Sequence, residues 1–264
     1  MIQLYTGGKM KFFVIASGSK GNVSYIEHNE NKILIDAGIS YTKIKNSLEL
    51  INVGTEEITH LFLTHEHSDH IAGLSMIKKK HDINIYTSKG TKEALKLPSS
   101  THIISGFEPV ILDGLSIIPI PLSHDAKEPF GFLIESDDSK ICYITDTGYI
   151  SHSHLDYLKN CDLYYLESNH DPYLLTQSKR PYPLIRRILN EKGHLSNEDS
   201  AYYFSKMMGE NTKHLIIAHV SEECNTDEAI THTYKEVLAA SGIDLNDLNF
   251  IIARQNKPLE VITL

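Results

Sequence analysis

Apolar residues fall along this chain in short, mostly uninterrupted runs, with fewer stretches of helical periodicity between them. Runs at 12–16, 23–27 and 32–36 read as strands, separated by turns where Gly18, Gly21 and Asn22 allow tight backbone geometry. A helical pattern covers 41–50 and a strand follows at 60–63. Residues 70–80 read as a helix, with Ile71, Leu74 and Ile77 apolar and Lys78-Lys79-Lys80 at its end. A strand at 83–86 and a short helix at 89–96, ended by Pro98, come next. Strands are expected at 101–104, 109–112, 115–119, 130–135, 140–145 and 162–166. Pro183 suits the first turn of a helix over 183–190, and Ser196 with Asp199 forms a capping pattern that opens a helix over 196–208. A strand at 214–218, a helix at 226–240 and strands near 248–252 and 258–263 complete the pattern. Strands and helices mix without strict βαβ alternation, so the pattern alone gives α/β or α+β. With no linker and no internal repeat, one domain is expected over residues 10–264. The polar segment 1–9 reads as an N-terminal extension, either disordered or upstream of a start at Met10.

The densest chemistry lies directly after the apolar stretch Leu61-Phe62-Leu63. The run Thr64-His65-Glu66-His67-Ser68-Asp69-His70 gathers three histidines and an aspartate. Imidazole nitrogens and carboxylate oxygens are ligands that zinc and manganese accept. On an extended backbone His65, His67 and Asp69 share one side, and His70 follows as the chain turns into a helix. A catalytic zinc uses about three protein ligands and keeps one position open, so four candidates in one loop point to two metals. The chain has 15 histidines, and His28, His60, His81, His102, His152, His154, His214 and His232 have no partners at fixed spacing.

His-x-His-x-Asp-His after a hydrophobic strand resembles the signature of the metallo-β-lactamase fold hydrolases. Four further stretches resemble that family's other signatures, in the expected order: Ile33-Leu34-Ile35-Asp36-Ala37-Gly38, Pro121-Leu122-Ser123-His124-Asp125, Tyr143-Ile144-Thr145-Asp146-Thr147-Gly148 and Leu215-Ile216-Ile217-Ala218-His219. The resemblance implies an α+β, four-layer αββα sandwich. It also implies two divalent ions, zinc or manganese, with His65, His67 and His124 on one, Asp69, His70 and His219 on the other, and Asp146 bridging them. Asp69 would also belong to the catalytic set, and Asp36 would brace a ligand by hydrogen bond. Ser17-Gly18-Ser19-Lys20-Gly21-Asn22, Glu167-Ser168-Asn169-His170-Asp171, Gly193-His194-Leu195-Ser196-Asn197-Glu198 and Ser221-Glu222-Glu223-Cys224-Asn225 together resemble the YycJ/WalJ subgroup, whose members are implied to be bacterial 5′-to-3′ DNA exonucleases. In related phosphodiesterases such as ribonuclease Z, a histidine like His194 contacts the transition state. His194 is therefore expected to stabilise phosphate or protonate the leaving group, and His170 to bind substrate or support the site.

The formal charge of −9 is awkward for a nucleic-acid enzyme, since affinity for phosphates rests on local cations. One segment reverses it: Lys179, Arg180, Arg186, Arg187 and Lys192 face only Glu191, with Tyr173 and Tyr182 nearby. Lys179, Arg180, Arg186 and Arg187 are accordingly expected to bind substrate, as cations and rings do in strand-binding grooves. Cys142, Cys161 and Cys224 are scattered and odd in number, which fits a reducing cytoplasm without a disulfide framework. There is no run of ~18 apolar residues to suggest a membrane span and no signal-peptide pattern. The expected function is a two-metal phosphodiester hydrolase acting through a shared hydroxide, a 5′-to-3′ exonuclease with DNA as its partner. A small-molecule or RNA phosphodiesterase of the same fold is the alternative, and a non-catalytic metal-dependent DNA-binding protein the alternative from another class.

Overall fold

Along the strand Lys11–Ala16 side chains alternate between two apolar surroundings. Phe12 and Val14 join a cluster with Ile33, Ile35 and Phe62, while Phe13 and Ile15 join another with Leu34, Leu61, Ile44 and Leu48. Both faces of such a strand are buried, which is why its sequence reads as a continuous apolar run. The computed structural model describes residues 8–264; of the expected N-terminal extension, residues 1–7 lie outside the described residues.

The first sheet takes β1 (Lys11–Ala16), β2 (Val23–His28), β3 (Asn31–Ile35), β4 (His60–Phe62), β5 (Asn84–Thr87) and β6 (His102–Ile103). The second takes β7 (Val110–Leu112), β8 (Leu115–Pro121), β9 (Phe130–Glu135), β10 (Lys140–Ile144), β11 (Leu163–Glu167), β12 (His214–Ala218) and β13 (Asn249–Ile252), and β14 (Ile262–Thr263) returns to the edge of the first. Strand order is β14-β1-β2-β3-β4-β5-β6 in one sheet and β13-β12-β11-β10-β9-β8-β7 in the other. Each sheet begins as an antiparallel meander and ends as parallel strands, the change falling at β3/β4 and at β10/β11. The sheets face each other across Phe12, Phe62, Phe132, Tyr143 and Tyr165, with the Tyr143 and Tyr165 rings stacked 4.3 Å apart. Helices Tyr41–Glu49 and Leu74–Lys80 cover the outer face of the first sheet, and Asn197–Met207 and Asp227–Ala240 that of the second. The result is the four-layer α+β sandwich, αββα.

Several local expectations change. The helix expected at 70–80 is two pieces, Ser68–Ile71 and Leu74–Lys80, because Gly73 is drawn onto Ala37, whose carbonyl accepts its N–H at 2.7 Å. The last strand is only Ile262–Thr263, although Leu259 N–H also donates to the Val14 carbonyl at 3.0 Å. A helix not foreseen, Pro172–Gln177, starts where the Asp171 side chain accepts from the N–H of Leu174. Among the described residues no helix is long and apolar enough to cross a membrane.

Candidate metal centre

Six strand ends deliver the chemistry. Asp36 follows β3, the 64–70 loop follows β4, His124 lies three residues past β8, Asp146 two past β10, Glu167 closes β11 and His219 follows β12. Rigid strands hold such groups to the tolerance a metal requires while the loops leave room for substrate. Asp36, Asp146 and His219 sit at φ of 60°, 57° and 49°, a left-handed region that Asp and His enter more readily than most residues. The loop after β4 is pinned to the first sheet: the N–H groups of Asn22 and Ala37 donate to the carbonyls of Asp69 and His70, both at 2.8 Å. Gly38 makes this approach possible, since a Cβ there would lie 1.7 Å from the Asp69 carbonyl oxygen.

All seven expected ligands converge. Their donor atoms form overlapping sets within 4.8 Å: His65, His67 and His124; His65, His70 and Asp146; Asp69, His70 and His219. The Asp146 carboxylate is common ground, with His70 Nε2 at 3.2 Å, His219 Nδ1 at 3.4 Å and His124 Nε2 at 3.9 Å. Four of these imidazoles are oriented through Nδ1. His65 Nδ1 lies 3.0 Å from Thr64 Oγ1, His70 donates to Asp36 at 2.7 Å, His124 to the Gly193 carbonyl at 3.0 Å, and His219 to Glu167 at 2.9 Å. Acceptors on Nδ1 fix the tautomer and free Nε2 to bind a metal.

Glu167 is a residue to which the sequence pattern assigns no role, and it is the centre of this support. Its Oε1 accepts from Nδ1 of both His219 and His194 (2.7 Å), and its Oε2 from the N–H groups of Thr147 (2.9 Å) and Leu195 (3.3 Å). With both oxygens engaged by N–H donors, it braces the His194 and His219 rings. Burial would raise its carboxyl, but His194 and His219 hold it down to about 2. Asp146 is likewise buried, and His219 and His70 hold it well below the usual carboxylate range. In return His70, disfavoured as a cation by burial, is pushed up to about 10 by Asp36 and Asp146. Burial keeps His65 well below its ordinary value, hence neutral.

These anions need cations at their centre. The Nε2 atoms of His65 and His219 are buried with no hydrogen-bond partner, and unsatisfied buried polar atoms are rare and costly. Lone pairs aimed at a shared space, mixed nitrogen and oxygen donors and surplus buried negative charge all fit divalent ions.

His194 lies over the site, its ring 5.0 Å from that of His124 and 5.1 Å from that of His219. A cavity of about 210 Å³ opens between Asp69, His194, Arg180 and Arg187. Arg180 Nε donates to Glu223 at 2.9 Å, and Arg187 forks onto Asp125. The other basic residues expected to bind substrate are elsewhere: Lys179 and Arg186 are exposed and do not line the cavity. His170 is also not on its wall. Its ring is buried with both nitrogens unpartnered, and burial lowers it to about 4. Sequence reasoning missed Asp125, Asn169 and Ser19 as well; Asn169 secures the His219 backbone, its side-chain amide donating to that carbonyl at 2.8 Å, and Ser19 lines the cavity.

A family model described as Beta-lactamase superfamily domain matches residues 31–220. The chain is 32% identical to "Exodeoxyribonuclease YycJ" of Bacillus anthracis over 244 residues, 90% of this chain and 92% of that protein. It is 35% identical to "Exodeoxyribonuclease WalJ" of Streptococcus pneumoniae over 241 residues, 88% of this chain and 90% of that one. Its fold matches the metallo-β-lactamase fold protein YhfI of Bacillus subtilis with a TM-score of 0.71 at 17% identity, covering 95% of this chain and 99% of the other. The chain belongs to the metallo-β-lactamase superfamily of hydrolases.

Proposed function

We propose that this hydrolase cuts phosphodiester bonds in nucleic acid with two divalent ions, zinc or manganese, and that it is a 5′-to-3′ exonuclease on DNA. The observation that carries the two-ion reading is the pair of donor sets around one carboxylate. His65, His67 and His124 would hold one ion, Asp69, His70 and His219 the other, and Asp146 would serve both. When bound, such ions supply Lewis acidity, polarising a phosphoryl oxygen and making water nucleophilic near neutral pH.

The chain's own residues do the rest. Arg180 and Arg187 flank the cavity and hold the phosphate, exchanging Glu223 and Asp125 for its oxygens. His194, fixed through Nδ1 by Glu167, presents its other ring nitrogen to the leaving oxygen and donates a proton there. Asp69, on the cavity wall beside His219 and His70, orients the attacking group. A cavity of about 210 Å³, below the ~300–1,000 Å³ of ordinary ligand pockets, favours one phosphate of an extended strand over an enclosed small molecule. The relatives named exodeoxyribonucleases support DNA as the strand.

The test is digestion of end-labelled single- and double-stranded DNA and RNA with zinc or manganese. Early release of a 5′ label from DNA, abolished by Asp146→Ala, is expected. A 5′ label released last would refute the direction, and hydrolysis undiminished in Asp146→Ala would refute the metal centre.

A further inference from the structure

A second cavity, of about 270 Å³, opens on the His124 side of the metal centre, lined by Pro121, Leu122, Ser123, Tyr149, Ser151 and His154. The two loops that wall it also carry ligands: Ser123 precedes His124, and Tyr149 lies three residues beyond Asp146. They are tied together, with Gly148 N–H donating to the Ser123 carbonyl at 2.8 Å, Ser123 N–H to Thr147 Oγ1 at 3.2 Å, and Thr147 Oγ1 to the Tyr149 carbonyl at 2.7 Å. The cavity is thus held at a fixed spacing from the ligands.

Aromatic rings gather at its mouth. Tyr149 is 43% exposed and Tyr157 51%. Phe107 lies edge-on to His154 and tilted against Tyr157, with centroids 5.0 Å apart in both pairs. Phe107 also adopts φ of 63°, a left-handed conformation unusual for so bulky a residue. It is held there by its N–H to the Pro119 carbonyl at 2.8 Å, and by Gly106, which lies so close to Pro121 that a Cβ would meet its Cγ at 2.6 Å. Backbone strain of this kind clusters at active sites and ligand-binding positions. The Asn190–Lys192 segment packs on the same loops. Ser123 Oγ donates to the Glu191 carbonyl at 2.7 Å, and Asp125 N–H to that of Lys192 at 3.1 Å.

We infer that this cavity and its aromatic mouth form a stacking subsite for one base of a single-stranded polynucleotide whose neighbouring phosphodiester occupies the metal centre. Tyr149, Pro121 and Leu122 offer flat apolar surface, while the Ser123 and Ser151 hydroxyls and the His154 imidazole offer hydrogen-bond partners at the edge. That combination matches the apolar face and polar rim of a nucleobase. The inference rests on the phosphodiesterase reading, which it deepens by giving the substrate a base beside the scissile phosphate.

The test is binding of the metal-loaded protein to labelled single-stranded oligonucleotides with cleavage-resistant linkages, one abasic residue being moved through the sequence. One abasic position is expected to weaken binding about tenfold, within the range of base–aromatic stacking. Tyr149→Ala should abolish that sensitivity and Tyr149→Phe retain it; both changes are at an exposed ring. The inference is overturned if no position is sensitive, if sensitivity survives Tyr149→Ala, or if free nucleoside monophosphate binds as tightly as the strand. Base-dependent binding without cleavage of end-labelled strands would sink the proposed function and leave the subsite standing; cleavage without base dependence would do the reverse.

Discussion

Glu167→Gln separates the two halves of the proposed metal centre. Glu167 accepts Nδ1–H from His219 at 2.9 Å and from His194 at 2.7 Å. Glutamine keeps the shape but loses the charge and one acceptor oxygen, so that with its carbonyl toward the histidines its NH2 faces the N–H groups of Thr147 and Leu195. Hydrogen bonds to charged groups contribute ~1.5–3 kcal/mol against ~0.5–1.5 for neutral ones, so His219 loses about 1–2 kcal/mol of support. Outer partners of ligand histidines typically change metal affinity ~10–100-fold. His219 belongs with Asp69 and His70, whereas His124 is braced by the Gly193 carbonyl, which the substitution does not touch. In a two-step zinc titration against a competing chelator, one affinity should fall ~10–100-fold and the other stay within about twofold. The effect should grow with pH. Burial disfavours the His219 cation, but Asp146, Asp69 and Glu167 raise it well above its ordinary value, so at neutral pH a proton competes with metal. Weakening that proton in Glu167→Gln offsets part of the loss, and less of it as the pH rises and the proton leaves. Equal loss at both steps, or no loss at either, would refute the assignment of Glu167 to one ion.

Three more outcomes are expected from the same geometry. His170 titrates at about 4 in the fold against 6.5 unfolded, so between these values the unfolded chain binds the extra proton. Its contribution is fully present above pH 6.5 and lost as pH falls to about 4, a loss of about 3 kcal/mol; denaturant unfolding in chelator should show His170→Gln losing less stability than the parent over this window, and parallel curves would count against it. Gly38→Ala places a Cβ against the Asp69 carbonyl and should lower metal affinity at least tenfold by displacing the loop, as competition with a chelator would reveal; parental affinity would mean that the loop yields. With two arginines at the cavity, log Kd for single-stranded DNA should change against log salt with a slope near 1.4, about 0.7 per phosphate contact, and a slope several times steeper would place the main contacts elsewhere.

Strands β10 to β12 were legible because both faces are buried: Ile141, Tyr143, Leu163, Tyr165 and Ile216 face the other sheet, while Cys142, Ile144, Tyr164, Leu166 and Ile217 face helices. The 64–70 loop was legible because its candidates are adjacent. His124, Asp146 and His219 stand alone in sequence; the family's order of motifs, and their shared place just past the ends of strand-like runs, joined them to it. Glu167 was illegible as a brace because its histidine partners lie 27 and 52 residues away; the available signal was an acid closing the apolar run Leu163-Tyr164-Tyr165-Leu166. Charge counting failed on the basic arm because it ignores which face of a helix a residue occupies. In Tyr182–Leu189, Leu184, Arg187 and Ile188 share the cavity face at helical spacing, and Arg186, one step around from Arg187, falls off it. Helical periodicity applied to 182–189 would have separated the two.

The duplicated layout explains why two Asp-x-Gly turns have different roles. Asp36-Ala37-Gly38 comes after β3 and Asp146-Thr147-Gly148 after β10, each at the strand where an antiparallel meander gives way to parallel pairing, and both aspartates are left-handed. Asp36 accepts from Thr64 N–H and Oγ1 and from His70 Nδ1, so its carboxylate is filled by the loop after the neighbouring strand β4. Asp146 has no such loop in front of it. The last residue of β11, Glu167, lies there instead; it takes the donors Thr147 N–H and His219 Nδ1 and leaves Asp146 facing the imidazoles. Left-handed strain of ~1–3 kcal/mol at each aspartate is compatible with stability because both ends of the turn are hydrogen-bonded into a sheet. The loop leaving the adjacent parallel strand therefore decides whether the aspartate is filled by hydrogen bonds, as Asp36 is, or left facing imidazoles, as Asp146 is.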